Sequence, residues 1–206
     1  MLEKFHSLDE EKRTRIINAG LKEFGLNGYK NARTDNIVQE AGISKGLLFH
    51  YFGTKKKFFE FLLDYAIKIS EELLEKINLD ADVFVRLREN TLMKMELLKK
   101  NPDLFNFLIT ISEKDEEDIK RETKKKLAQF SQKAYEKMFS GLDLTKFKDD
   151  INPQQGIEII IWTIEGISNK FMREYVKAQK VQDINHQIFL DQFEDYLAIL
   201  KKALYK

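Results

Sequence analysis

The chain of 206 residues contains no cysteine. A disulfide framework and a thiolate metal site are therefore excluded. Only two prolines and nine glycines interrupt the sequence, so breaks in regular structure are few and each one is informative. No Gly-rich phosphate loop is present. No apolar run is long enough to span a bilayer: the longest, residues 157–167, holds Glu158 and Glu165. The opening stretch, Met1 to Glu10, is charged and has no apolar centre, so no signal peptide, no membrane partner and a cytoplasmic location are expected. Histidine is scarce as well, with three in the chain. Helical metal enzymes need paired Glu-x-x-His turns on facing helices. His6 sits in one such spacing at the terminus, Asp183 and His186 form one more, and His50 has no carboxylate three residues before it. One usable pair cannot build such a centre, so no enzyme, no metal and no cofactor are expected.

Neither sign of charge dominates: 35 Lys and Arg face 34 Asp and Glu. The distribution is uneven. Residues 1–57 hold 11 basic and 7 acidic side chains, and the remainder 24 basic and 27 acidic. A basic N-terminal end on a slightly acidic body suits a DNA-reading head. A non-specific architectural DNA binder, the competing class, would be basic throughout.

The stretch Arg33 to Lys55 organises the rest. Ile37, Val38 and Ala41 give a short helix its apolar face, with Thr34 the expected N-cap. Gly42 tolerates left-handed backbone angles and ends that helix. Ser44 caps a second helix whose Leu48 and Phe52 share one face. Its other face carries Lys45, Gly46, Leu47, His50 and Tyr51. Two helices around a glycine turn, with a polar and basic N-terminal end on the second, make a helix-turn-helix. Lys45 and His50 can reach phosphates or base edges. Gly46 removes the side chain where a helix backbone would lie against DNA. Ser44 and the free N–H groups at the helix start can bind a phosphate.

These residues resemble the DNA-binding motif of the tetracycline-repressor (TetR) family of bacterial transcriptional regulators. The matching pieces are AGLKEFGLNGY at 19–29, RTDNI at 33–37, AGISKGLLFHYF at 41–52 and TK at 54–55. Leu47 stands where many members carry a small or polar residue, although leucine can touch a thymine methyl. Geometry and resemblance together assign Thr34, Tyr51 and Lys55 to phosphate contacts, and Lys45 with the Gly46 backbone to bases or the adjoining phosphate. Phe49 and His50 are assigned to the backbone or groove floor, and Arg33 to the flank.

Helical periodicity carries through the chain, so an all-α fold of about nine helices is expected. Residues 1–54 form the helix-turn-helix head, with the motif at about 33–52. A long fourth helix joins it to a helical ligand-binding and dimerisation body, residues 55–206. The first helix is expected to start at Ser7, with Glu10 completing a capping box, and Tyr29 to pack back on the head. Lys55, Lys56 and Lys57 crowd a helix N-terminus, the wrong sign for its macrodipole unless a phosphate binds there. Asn101-Pro102 and Asn152-Pro153 each start a helix, and an acidic cluster lies at 115–118.

The last two helices are broadly apolar, which points to burial against a second copy. The interface is expected at Ile160, Ile164, Ile167, Phe189, Phe193, Tyr196, Leu197 and Leu200, with Gly166 and Ser168 permitting close approach. A homodimer reads a palindromic operator in double-stranded DNA, its half-sites about 34–36 Å apart. The resemblance further implies a body pocket whose occupancy changes head spacing. Phe105, Phe107, Trp162, Phe171 and Tyr175, with Thr110, Thr163 and Asn169 as polar fixtures, are its candidate lining for a small lipophilic or aromatic effector. The function expected is a ligand-released homodimeric repressor.

Overall fold

The computed structural model describes residues 2–113, 117–177 and 186–206. Among these are ten α-helices and one 3₁₀ turn: α1 (Leu2–His6), α2 (Glu10–Asn31), α3 (Thr34–Ala41), α4 (Lys45–Phe52), α5 (Lys55–Leu74), α6 (Val83–Lys100), α7 (Pro102–Glu113), α8 (Glu117–Phe139), the 3₁₀ turn Leu144–Lys146, α9 (Pro153–Lys177) and α10 (His186–Leu204). The fold is all-α, as the periodicity predicts. No described helix is long and apolar enough to cross a membrane. Part of the acidic cluster at 115–118 and the Asp183 end of the Asp-x-x-His spacing lie outside the described residues.

One helix is not foreseen by the sequence reading. α1 forms ahead of Ser7 because Phe5 has somewhere to go: it is fully buried, with its ring 4.9 Å from Phe52 and 5.2 Å from Phe61. The start of α2 shifts accordingly. Asp9, not Ser7, is its N-cap and accepts from the Lys12 N–H at 2.8 Å, while the Ser7 hydroxyl donates back to the Lys4 carbonyl. Gly28 takes φ 70° and kinks the last turn of α2, which runs on to Asn31.

By compactness the chain forms two units. Met1–Lys76 with Glu96–Tyr135 make the first; Ile77–Met95 with Glu136–Lys206 make the second. The 54/55 boundary of the sequence reading is a division by role and cuts across the first unit. In that unit an aromatic core of Phe5, Phe24, Phe52, Phe58, Phe59 and Phe107 ties the head to α7. Two glycines of α2 let its neighbours come close. A Cβ at Gly20 would stand 2.6 Å from Leu62 and Phe58 of α5, and one at Gly25 would stand 3.0 Å from the Phe107 backbone nitrogen. Thr110 of α7 then donates its hydroxyl to the Gly25 carbonyl at 2.7 Å. Tyr29 stacks on Phe24 and meets Phe59 edge-on at 5.2 Å, the packing role expected of it.

The second unit is pinned by Arg86, which is 1% exposed. Its guanidinium donates to the carbonyls of Leu79, Ala81, Met138 and Ser140. A buried guanidinium persists only when its donors are satisfied in this way. Asp82 begins α6: one carboxylate oxygen accepts from the N–H groups of Phe84 and Val85, and the other from Lys201 of α10 at 3.1 Å. Burial works against the charged form of Asp82. The Lys201 and backbone hydrogen bonds outweigh it and hold the carboxyl below its ordinary 3.8.

Candidate nucleic-acid interface

The glycine turn has the geometry that its sequence demands. Gly42 closes α3 at φ 64°, ψ 40°, a left-handed conformation that costs a residue with a Cβ about 1–2 kcal/mol. Ser44 caps α4, its hydroxyl accepting from the Leu47 N–H at 3.2 Å. The start of α3 differs from expectation. Arg33 holds the N-cap position, without a side-chain bond, and Thr34 is the first helical residue. Glu23 of α2 does the capping instead. Its carboxylate accepts from the Arg33 N–H at 2.8 Å and from the Asn36 side chain at 3.2 Å. A carboxylate there also meets the positive end of the α3 dipole. The sequence hides this role because Glu23 is distant in the chain and reads as one more charge on α2.

Arg33, Ser44, Lys45, Gly46 and His50 are exposed, and Thr34, Leu47, Phe49 and Lys55 are half-buried. Tyr51 corrects the reading that placed it on the exposed face. It is 6% exposed, its ring covered edge-on by Phe5 at 5.9 Å. α1, which the sequence reading did not include, is what buries it. α1 also brings an unforeseen cation to the site, with the Lys4 Nζ 3.5 Å from the His50 Nε2. Leu47 packs partly against the head core.

At the α4 N-terminus, the chain is bare. A Cβ built at Gly46 meets no atom within 4 Å. The Leu47 N–H is taken by Ser44, while those of Lys45 and Gly46 fall in the first turn, where a helix offers no carbonyl partner. Lys45 beside them is paired with Asp35 of α3, Nζ to Oδ1 2.9 Å, both side chains half or more exposed. An exposed pair of this kind contributes little, up to about 1 kcal/mol, and exchanges readily for a phosphate.

The three lysines opening α5 divide. Lys55 donates to the Lys30 carbonyl at 3.3 Å and lies 4.8 Å over the Tyr29 ring. Lys56 pairs with Glu122 at 3.4 Å and Glu60 at 3.6 Å. The hydrogen bond to Glu122, first, pushes its pKa above 10.5. Lys57 is exposed. Thr54 caps the helix through the Lys57 N–H.

The residues expected to line an effector pocket do not gather in one unit. Phe105, Phe107 and Thr110 lie in the first; Trp162, Thr163, Asn169 and Phe171 lie in the second. Phe107 is fully buried in the core and Thr110 is bonded to α2, so both have packing roles. Phe171 packs on Phe189 at 4.3 Å, the Thr163 hydroxyl bonds the Ile159 carbonyl, and Trp162 and Asn169 are exposed. The Tyr175 side chain lies outside the described residues.

The expected interface residues also divide. Ile160, Phe193, Leu197 and Leu200 are buried within the chain, Ile164, Ile167 and Phe189 are half-buried, and Tyr196 is exposed. Among the described residues of α9 and α10, the exposed large apolar side chains are Ile159, Trp162, Ile188, Tyr196 and Ile199, which the sequence reading largely missed. Gly166 faces open space. Both helices are broadly apolar, so periodicity alone does not say which stripe the chain's own core takes.

A capped, glycine-turned helix pair with an open basic end, on an all-α chain, defines a helix-turn-helix DNA-binding transcriptional regulator. Residues 16–62 match the family described as bacterial regulatory proteins, tetR family. The head is thus similar to that of tetR-family regulators. Among related proteins, the transcriptional repressor NicS of Pseudomonas putida is 26% identical over 102 residues, spanning 49% of this chain and 48% of that protein. The match therefore takes in about half of that repressor's length. The uncharacterized transcriptional regulator YdgC of Bacillus subtilis is 23% identical over 81% of this chain and 84% of its own. The fold is shared with solved structures. A TetR family regulator from Chloroflexus aurantiacus superposes with a TM-score of 0.63 at 20% identity, covering 99% of this chain and 98% of that one. The TetR family protein CprB of S. coelicolor gives 0.61 at 17%, covering 96% and 90%.

Proposed function

We propose that the protein is a homodimeric repressor that binds a palindromic operator in double-stranded DNA and is released by a small lipophilic or aromatic effector. The observation that carries the DNA reading is the α4 N-terminus: Gly46 presents bare backbone to open space beside Lys45 and the Ser44 cap. A major-groove helix contacts base edges with its N-terminal residues, and this end is free of side-chain bulk where such contact needs it. Arg33, Thr34, Lys55 and His50 are assigned the phosphate and groove contacts. Tyr51 contributes by fixing α4 on the head core. The working location is the cytoplasm, where bacterial DNA lies.

Dimerisation is supported by apolar surface. Ile159 and Trp162 on α9, and Ile188, Tyr196 and Ile199 on α10, are each more than two-fifths exposed. A cluster of large apolar side chains left in water marks an interaction surface. A two-fold partner gives the two heads that a palindrome requires. The body, residues 55–206, is assigned the effector site. Selection of bound duplexes from a random DNA pool, at a stated and moderately high salt, tests this reading. It predicts a palindrome with fixed half-site spacing. Salt-sensitive binding without a consensus would replace it with the architectural reading.

A further inference from the structure

The second unit contains a polar pair that no DNA contact or packing role uses. Asn90 and Lys94 are four residues apart on α6 and so share one face of that helix. That face is otherwise interior: Val83 is fully buried, and Leu87 is 5% exposed. Asn90 is itself 8% exposed, and its Oδ1 has no hydrogen-bond partner. Leaving such an atom unpaired is costly, and folding alone does not reward it. Lys94 lies one turn further along and keeps water-accessible surface. The protein around it nonetheless desolvates the ammonium and pushes its pKa below 10.5. Lys94 is thus exposed at a place where surrounding protein disfavours its charge. Among the described residues Lys94 has no carboxylate partner.

We infer that Asn90 and Lys94 form the anion-binding end of the effector site, and that the effector is a largely apolar molecule bearing a single carboxylate or similar anionic group. The inference rests on the effector reading above and narrows its chemistry. A ligand carboxylate would supply the counter-charge that Lys94 lacks and would favour its charged form. The Asn90 carboxamide can turn either its donor or its acceptor to the ligand, as an unpartnered amide is free to do.

The test is calorimetric titration of the full chain with two matched pairs: octanoate against 1-octanol, and 2-naphthoate against 2-naphthalenemethanol. Wild type, Lys94→Met, Lys94→Arg and Asn90→Leu are compared, each first shown to be folded by circular dichroism. At least one carboxylate should bind wild type more tightly than its alcohol. Lys94→Met should lose about tenfold or more of that carboxylate affinity while the alcohol changes little, since a charged hydrogen bond is at stake. Lys94→Arg should restore part of the loss, which a merely structural lysine would not require. Asn90→Leu should weaken the carboxylate less than Lys94→Met does. Equal binding of acid and alcohol, unchanged by Lys94→Met, would overturn the inference and leave the effector site standing. If neither pair binds wild type, while DNA selection still returns a palindrome, the effector reading falls and this inference with it.

Discussion

At the scale of single residues, the site rests on side chains whose partners are visible. Lys45 is held by Asp35 in the free protein. DNA must displace that carboxylate, and the carboxylate also repels phosphate. Asp35→Asn should therefore raise affinity for the selected duplex a few-fold, consistent with up to about 1 kcal/mol for an exposed pair. Fluorescence anisotropy at fixed salt reads this directly, and a drop in affinity would mean that Asp35 orients Lys45 for contact. Residues with local rules were legible in the sequence. Gly42 and Ser44 act through neighbours within four positions, and both sit as expected. Glu23, Lys4 and Tyr51 were not legible, because their partners are 10, 46 and 46 positions away. The Asn90 and Lys94 pair was accessible to periodicity, as two polar residues on an apolar helical face, and went unread because each alone is ordinary.

At the scale of elements, the α2–α7 joint and the α6–α10 clasp carry the two units. Gly25→Ala puts a Cβ against the Phe107 backbone, which cannot swing aside as a side chain can. The substitution should cost about 1–3 kcal/mol, as overpacking does, read as a lowered midpoint in urea. An unchanged midpoint would mean that α7 can shift away without loss. Asp82 clasps Lys201 and caps α6, with its folded pKa below 3.8. Its stabilising share is complete above that ordinary value and disappears as pH falls through the folded one. The stability gap between wild type and Asp82→Asn should thus be widest well above pH 3.8 and should shrink as pH falls below it. A gap independent of pH would assign the effect to lost packing. Helix starts with a local signal were legible from sequence, since α7 and α9 begin at their prolines and α5 begins at the three lysines. α1 was not, because a five-residue helix has too few turns to show a period, and only the pocket for Phe5 stabilises it.

At the scale of the whole molecule, the account needs two copies. Ile199 is 63% exposed on α10. Burying its like against a partner is worth about 1.5–3 kcal/mol, and a buried unpaired charge costs more. Ile199→Glu should therefore shift the protein toward monomer in analytical ultracentrifugation while its helical content holds, and it should lose affinity for a full palindrome more than for a half-site. A dimer that persists at the same concentration would place the interface on another face. The fold class was legible from periodicity and the scarcity of proline and glycine. The choice of interface stripe was not, because a helix apolar on two sides does not say which side its own chain takes.

The central claim is that the bare N-terminal end of α4 lies against duplex DNA. Binding of the selected duplex by wild type and by Gly46→Val, at one salt concentration, tests it most directly. Among the described residues, nothing beyond the helix's own backbone stands within 4 Å of the new Cβ, so the variant should fold and dimerise as wild type does. The account predicts that its specific binding is abolished, because a branched side chain holds the helix off the groove. Wild-type affinity in the folded Gly46→Val protein would show that DNA meets some other surface.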